Sequence, residues 1–170
     1  PIQNPFILIN VPYINQNDYH TGCESCSAVM LLKYYGLDIT VDSFINKLSK
    51  GNLQKINGEL YGPDPNYTFV GDPRNADSFG CYSICIANAM NKIFNQYKRS
   101  LCAHSIQSLS LETICDKFLN SNMPVLIWAT MNMRQTIYNK RWKIINTNAY
   151  HNWKGNENCL VFVGYKSTHY

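Results

Sequence analysis

The sequence predicts an α+β fold, because helical patterns occupy its first two thirds and strand patterns follow them. Of its 170 residues, 45% are hydrophobic and 15% are charged. This is the balance of a globular chain that is long enough to bury a core. Residues 1–170 are therefore expected to form one domain.

The helical part begins at Cys23. Apolar residues recur at helical spacing over residues 23–35, and Gly36 is a typical helix stop. Three more helices are predicted: one that Thr40 caps and that ends before Gly51, one over residues 82–97, and one that Ser110 caps and that reaches about residue 120.

The strand patterns lie mostly in the last third. Residues 125–130, about 142–145 and 159–165 are short runs rich in apolar and aromatic residues, as strands are. Residues 7–13 also predict an extended segment that ends at an X-Pro step. Residues 51–80 are rich in Gly, Pro and Asn, and we expect an ordered loop there.

Charge excludes one class of function, and the length of the apolar runs excludes another. The net charge is only +4, and the basic pair Lys140-Arg141 is not part of a longer basic run. A nucleic-acid partner is therefore not expected. The longest apolar runs are too short to cross a bilayer, so we expect no membrane span. We also expect the protein to be a monomer.

Cys23 has the local context of a nucleophile. It follows Gly22 at a predicted helix start, where the helix dipole and free N–H groups favour a thiolate, so a lowered thiol pKa is expected. Gln16 lies upstream, where its amide could donate to an oxyanion. A loop glutamine and a small core cysteine would give the same local pattern, so the local pattern leaves both interpretations open.

Several segments together resemble a known family. Val-Pro-Tyr-Ile-Asn-Gln at 11–16, Thr-Gly-Cys-Glu at 21–24 and Tyr-Tyr-Gly at 34–36 resemble the bacteriocin leader-processing, C39-like group of papain-like cysteine peptidases. The resemblance continues through residues 66–74, 80–82, 123–130 and 160–165. It implies a papain-like fold, in which an N-terminal helical lobe packs its nucleophile helix on a C-terminal antiparallel sheet. It also implies Cys23 as nucleophile and Gln16 as oxyanion donor.

The sequence departs from the family at two places. Asn158 falls on the position of the catalytic histidine, and no acidic or amide residue that would orient this histidine follows the strand before Tyr170. We therefore expect a domain that lacks its C-terminal strand or strands. An asparagine can form hydrogen bonds but cannot exchange a proton near neutral pH. The activity is thus expected to be absent or strongly attenuated.

The resemblance implies a hydrolase that cleaves peptide bonds through a Cys23 thioester, without a cofactor or metal. A peptide or protein would be the substrate, and the location would be extracellular or on a bacterial cell surface. A non-catalytic pseudopeptidase that binds peptides is the alternative. Another histidine could also replace the missing one, although each is expected at the surface: His20, His104, His151 and His169.

The seven cysteines allow two lesser interpretations. Cys23 and Cys26 form a C-x-x-C at a helix start, as in thiol–disulfide exchange proteins, although no strand runs directly into the motif. A zinc site could use these two with Cys81 and Cys85, but the two pairs lack knuckle-like turns. For the cysteines in apolar stretches, a buried reduced thiol is the simpler expectation.

Overall fold

The structure is a computed structural model that describes residues 6–166. The α+β prediction is confirmed by a fold of helices and mostly antiparallel strands, although several short strands already lie in the first half of the chain. The helices are α1 (Cys23–Tyr34), α2 (Val41–Ile45), α3 (Ser83–Gln96) and α4 (Leu111–Lys117), with two 3-10 turns at Leu119–Ser121 and Met131–Met133. The strands are β1 (Phe6–Leu8), β2 (Lys50–Gly51), β3 (Gln54–Ile56), β4 (Glu59–Gly62), β5 (Phe69–Val70), β6 (Val125–Thr130), β7 (Tyr138–Ile144), β8 (Tyr150–Lys154), β9 (Glu157–Phe162) and β10 (Gly164–Lys166).

Helix α1 lies at the centre of the fold. It contacts α2 and α3 on one side and β6 and β9 on the other. Because it is covered on most sides, eight of its twelve residues are buried, including polar Glu24, Ser25 and Ser27. Its apolar residues join those of α2 and α3 in the largest core cluster, against which Leu126 and Trp128 of β6 pack. The expected packing of the nucleophile helix on an antiparallel sheet is therefore confirmed.

Over residues 6–166 the strands form four small sheets. β6 and β9 pair antiparallel along six residues, and β1 pairs antiparallel with β10. A four-stranded sheet has the order β3-β4-β7-β8, in which β4 and β7 run parallel. The parallel pair β2-β5 joins the start of the loop-rich segment to residues 69–70.

Most predicted helices and strands occur at the expected positions in the sequence. Thr40 and Ser110 cap α2 and α4 by accepting hydrogen bonds from backbone N–H groups three residues ahead. The expected strand at 125–130 is β6, whereas the one at 142–145 is the end of the longer β7. The expected strand at 159–165 is divided into β9 and β10 and begins two residues earlier.

Residues 51–80 contain more regular structure than the sequence predicts. One of the two residues of β2 and all of β3, β4 and β5 lie there, although each strand has only two to four residues. Strands this short have no detectable periodicity, and their partners are distant in the sequence. Within residues 6–166, no helix is both long and apolar enough to cross a membrane.

Candidate active site

A tight loop positions Cys23 at the start of α1. Tyr19 N–H donates to Gln16 O at 2.8 Å, and Gly22 N–H donates to Tyr19 O at 3.0 Å. A Cβ on Gly22 would lie 2.5 Å from the Tyr19 Cβ, so only glycine fits this approach. Thr21 N–H donates to Pro73 O at 3.1 Å and ties the loop to the neighbouring segment. Cys23 thus lies in the first turn, where backbone N–H groups lack helical partners.

Strand β9 lies directly against the Cys23 sulfur. The Cys159 N–H donates to Cys23 Sγ at 3.4 Å, and the Ser27 hydroxyl donates to Cys159 O at 3.1 Å. Asn158 is the preceding residue of β9 and pairs in register with Ala129 of β6. The structure therefore places Cys23 beside the strand that carries Asn158.

A buried carboxyl group lies beside the Cys23 thiol. Glu24 is only 4% exposed, and its Oε2 accepts a hydrogen bond from the Cys23 thiol at 3.3 Å. Its Oε1 accepts from Cys81 N–H at 3.0 Å. Gly80, with φ of +146°, leaves room for this oxygen, because a Cβ there would lie 2.4 Å from it. Both oxygens of Glu24 are thus held in place.

These surroundings contradict the expected low pKa of Cys23. Burial and the charge of Glu24 raise its pKa above the ordinary thiol value, although the N–H of Cys159 opposes the shift. The dipole of α1 is outweighed because the thiol is largely removed from water and faces a carboxylate. The resting Cys23 side chain is therefore a thiol.

Burial also raises the pKa of Glu24, to about 7, while the Cys81 N–H acts in the opposite direction. The nearby Glu157 adds a smaller upward contribution. Glu157 is half-buried, and its Oε1 lies 3.8 Å from Lys154 Nζ. Its Oε2 has no hydrogen-bond partner within residues 6–166. Near neutral pH, Glu24 therefore exchanges between its protonated and charged forms.

Gln16 lies in the loop before α1 and is half-buried. Its Nε2 donates to Tyr19 O at 3.1 Å, which orients the amide within the loop. An amide nitrogen carries two N–H donors, so one remains for another acceptor. Its role as oxyanion donor stays a prediction.

The histidines of the described segment do not hydrogen-bond to Cys23. His20 and His104 are exposed. His151 packs among aromatic rings, with its Nε2 3.3 Å from the Tyr82 hydroxyl and its ring 4.8 Å from that of Trp142. Burial lowers its pKa. His169 lies outside the described residues.

The arrangement of the cysteines bears on the thiol–disulfide exchange and the zinc-site interpretations. All seven cysteines are unpaired, and five of them are buried. Cys26 is 2% exposed, and burial followed by the charge of Glu24 raises its pKa to about 11. Such a thiol is a poor participant in disulfide exchange. Among residues 6–166, no three His, Cys, Asp or Glu side chains are grouped so that they could hold a metal ion.

Sequence reasoning missed Glu24 and Cys159. One signal for Glu24 was present, since it precedes Ala28 by four positions and Leu32 by eight, which places it on the core-facing stripe of α1. For Cys159 the apolar strand pattern indicated burial. Its contact with Cys23 depends on packing between segments that are 136 residues apart.

Comparisons with known proteins agree with this geometry. The chain is 28% identical over 143 residues to the uncharacterized protein YvpB of Bacillus subtilis (strain 168), which covers 81% of this chain and 53% of that protein. The chain thus spans about half the length of this curated relative. A crystal structure from Bacillus anthracis, described as a C39-like peptidase, matches with a TM-score of 0.72 at 22% identity, over 96% of this chain and 79% of that one. This likeness supports the fold.

The family assignment comes from the sequence itself. A model described as "Peptidase_C39 like family" matches residues 8–170, which is nearly the whole chain. The matched range contains the Cys23 helix start, the Glu24 carboxyl and the strand with Asn158. The chain therefore belongs to the peptidase C39-like family.

Proposed function

We propose that this chain is a peptidase-like hydrolase that attacks peptide bonds through a Cys23 thioester and that turns over slowly because Asn158 replaces the catalytic histidine. The observation that carries the proposal is the contact between Cys23 Sγ and the backbone of β9, one residue from Asn158. A nucleophile at a helix start beside this strand is the arrangement that the family resemblance implies.

The first turn of α1 supports acyl transfer at Cys23. When Sγ attacks a carbonyl carbon, negative charge develops on the carbonyl oxygen. Backbone N–H groups at a helix start stabilise such charge. We propose that Gln16 adds a side-chain N–H from the loop that leads into the helix.

Asn158 is the reason for the proposed attenuation. A peptidase must remove the thiol proton and then protonate the leaving amine. The asparagine amide does neither near neutral pH. The raised pKa of Cys23 aggravates the deficit, because little thiolate is present before substrate binds.

A non-catalytic peptide-binding protein is the second candidate. Asn158 supports it, because this residue removes the base while the other matched motif positions are retained. Both candidates take a peptide or protein as partner, and we propose an extracellular or cell-surface location for either. A redox protein that uses Cys23 and Cys26 is less well supported, since burial and the charge of Glu24 raise the pKa of both thiols.

Covalent trapping separates the two candidates. The protein is mixed with a peptide p-nitrophenyl ester, and the acyl group is located by intact mass and peptide mapping. The hydrolase proposal predicts an acyl group on Cys23 and none at this position in Cys23→Ala. An unmodified Cys23, together with calorimetric binding of peptides, would favour the binding protein. An unmodified Cys23 without binding would contradict both.

A further inference from the structure

We propose that Glu24 is the catalytic proton acceptor and donor for Cys23 in this chain, in place of the missing histidine. This inference rests on the proposed hydrolase function. Glu24 Oε2 lies 3.3 Å from Cys23 Sγ and accepts its hydrogen bond. A general base must lie within hydrogen-bond reach of the proton that it removes. Of the ionisable side chains in residues 6–166, Glu24 alone forms a hydrogen bond to the reacting sulfur.

The carboxyl is held in a defined position. Oε1 accepts from Cys81 N–H at 3.0 Å, and the peptide after Gly80 approaches closely because residue 80 has no side chain. Trp128 Nε1 donates to Cys81 O at 3.1 Å and fixes the same residue from β6. Oε2 is thereby directed at the sulfur, and a positioned base contributes more than a mobile one.

Glu24 has no cationic partner within the described part of the chain. No Lys, Arg or His among the described residues forms an ion pair with it. A buried carboxylate without a cation is costly, and a glutamine could accept from Cys81 N–H at lower cost. A purely structural role therefore does not require an acid at this position.

The groups around Glu24 leave it able to titrate. Burial raises its pKa to about 7, which is near the operating pH that suits a general base. The described titratable and charged groups that face it or lie near it are Cys23 and Cys26 of α1, Cys81, Tyr82 and Cys85 at the start of α3, and Lys154, Glu157 and Cys159 on β8 and β9.

The proposed steps conserve atoms and charge. As Sγ forms its bond to the carbonyl carbon, the thiol proton passes to Glu24 Oε2. The resulting carboxylic acid gives this proton to the leaving amine as the C–N bond breaks, which leaves a thioester on Cys23. Water then attacks the thioester and gives a proton to Glu24. Release of the carboxylic acid product returns a proton to Sγ.

Loss of Glu24 should change the rates of Cys23 alkylation and Cys23 acylation in opposite directions. Its negative charge disfavours the free thiolate, so loss of this charge should accelerate alkylation of Cys23 by iodoacetamide. As a base, however, the same group accelerates attack on a carbonyl. A merely structural or inhibitory glutamate would not slow acylation while alkylation becomes faster.

The experiment compares the unsubstituted chain with Glu24→Gln, Asn158→His and the double variant. Single-turnover acylation by the peptide p-nitrophenyl ester and alkylation by iodoacetamide are each followed against pH. This ester isolates base catalysis, because p-nitrophenolate leaves without a proton. Glu112→Gln is the matched control, since Glu112 is an exposed glutamate at the same position in the first turn of α4.

The proposal predicts that Glu24→Gln slows Cys23 acylation by about 100-fold or more while alkylation becomes faster. The Glu112→Gln control should match the parent. In the Asn158→His background, Glu24→Gln should slow Cys23 acylation by a smaller factor, because histidine supplies a second base. Unchanged or faster acylation in Glu24→Gln would overturn the proposal.

Folding is checked by circular dichroism. If Glu24→Gln is unfolded, the pH dependence of Cys23 acylation in the unsubstituted chain tests the proposal instead. An acylation rate that levels off above about pH 7 supports Glu24, whereas one that rises in parallel with alkylation overturns it. If Cys23→Ala incorporates as much acyl group as the parent, the hydrolase proposal itself fails, whatever Glu24 does.

Discussion

The backbone N–H of Cys159 donates to the Sγ atom of Cys23 across 3.4 Å. This contact joins the start of α1 to β9, one residue from Asn158. It also stabilises negative charge on the sulfur, in opposition to burial and Glu24. The proposed nucleophile therefore has an N–H donor beside it, and the proposed proton transfer depends on which side chain acts in place of a histidine.

Alkylation should report a thiol that is not activated at rest. In the unsubstituted protein, the rate of Cys23 alkylation by iodoacetamide should keep rising with pH through 9, the ordinary thiol value, because burial and Glu24 disfavour the thiolate. Mass spectrometry of labelled peptides measures this rate, with the exposed Cys102 as internal reference. A rate that levels off below pH 7 would show instead that the dipole of α1 dominates.

Glu24 should make stability depend on pH. Its pKa is about 7 in the folded protein, against an ordinary value of 4.5, so between these values the folded state binds more protons than the unfolded state. The free energy of unfolding should therefore fall as pH rises through this window and show no further loss from Glu24 above it.

Urea denaturation at pH 5 and pH 8 measures this dependence. Glu24→Gln should reduce the difference in unfolding free energy between the two pH values, because the side chain no longer titrates. Glu112→Gln, at the exposed equivalent position of α4, should retain the parent's difference. An equal difference in Glu24→Gln and the parent would mean that Glu24 does not titrate in this range.

Gly80→Ala should be more damaging than a glycine substitution at another position with positive φ. A Cβ at Gly80 would lie 2.4 Å from Glu24 Oε1, whereas one at Gly58 would meet nothing within 4 Å, and both glycines have positive φ. We expect Gly80→Ala to cost about 1–3 kcal/mol more in unfolding free energy, as overpacking does. Urea denaturation of both variants measures the difference. Equal losses of unfolding free energy would mean that the Glu24 carboxyl is not closely packed against residue 80.

Cys26 should be dispensable for catalysis. It is buried in the main core cluster, and its thiol pKa is raised to about 11. Cys26→Ala in the Asn158→His background should cost about 1 kcal/mol of stability and leave peptide hydrolysis unchanged. Loss of hydrolysis in a variant that is folded by circular dichroism would favour the dithiol interpretation over the peptidase one.

The sequence predicts the elements with strong local signals. Helix α1 begins at Cys23 and ends before Gly36, and Thr40 and Ser110 mark the starts of α2 and α4. Strand β6 has the predicted bounds because five apolar residues and a threonine follow a proline. These features depend on neighbours in the chain.

The parts that could not be predicted depend on distant contacts. Strand β8 has the polar sequence Tyr-His-Asn-Trp-Lys and is a strand because it pairs with β7. The burial that raises the pKa of Cys23 and of Glu24 comes from β9 and from the peptide at Cys81. The helix start alone indicated an activated thiolate at Cys23. The local sequence shows that a helix dipole is present, but it does not show that folding removes the thiol from water.

Peptide hydrolysis by three variants tests the central claim most directly. The unsubstituted chain, Asn158→His and Asn158→His/Cys23→Ala are compared on one mixture of peptides, with cleavage products identified by mass spectrometry. The account predicts that Asn158→His cleaves faster than the unsubstituted chain and that the loss of Cys23 abolishes the gain. If Asn158→His is folded and cleaves no faster than the variant without Cys23, the peptidase account of this site is contradicted.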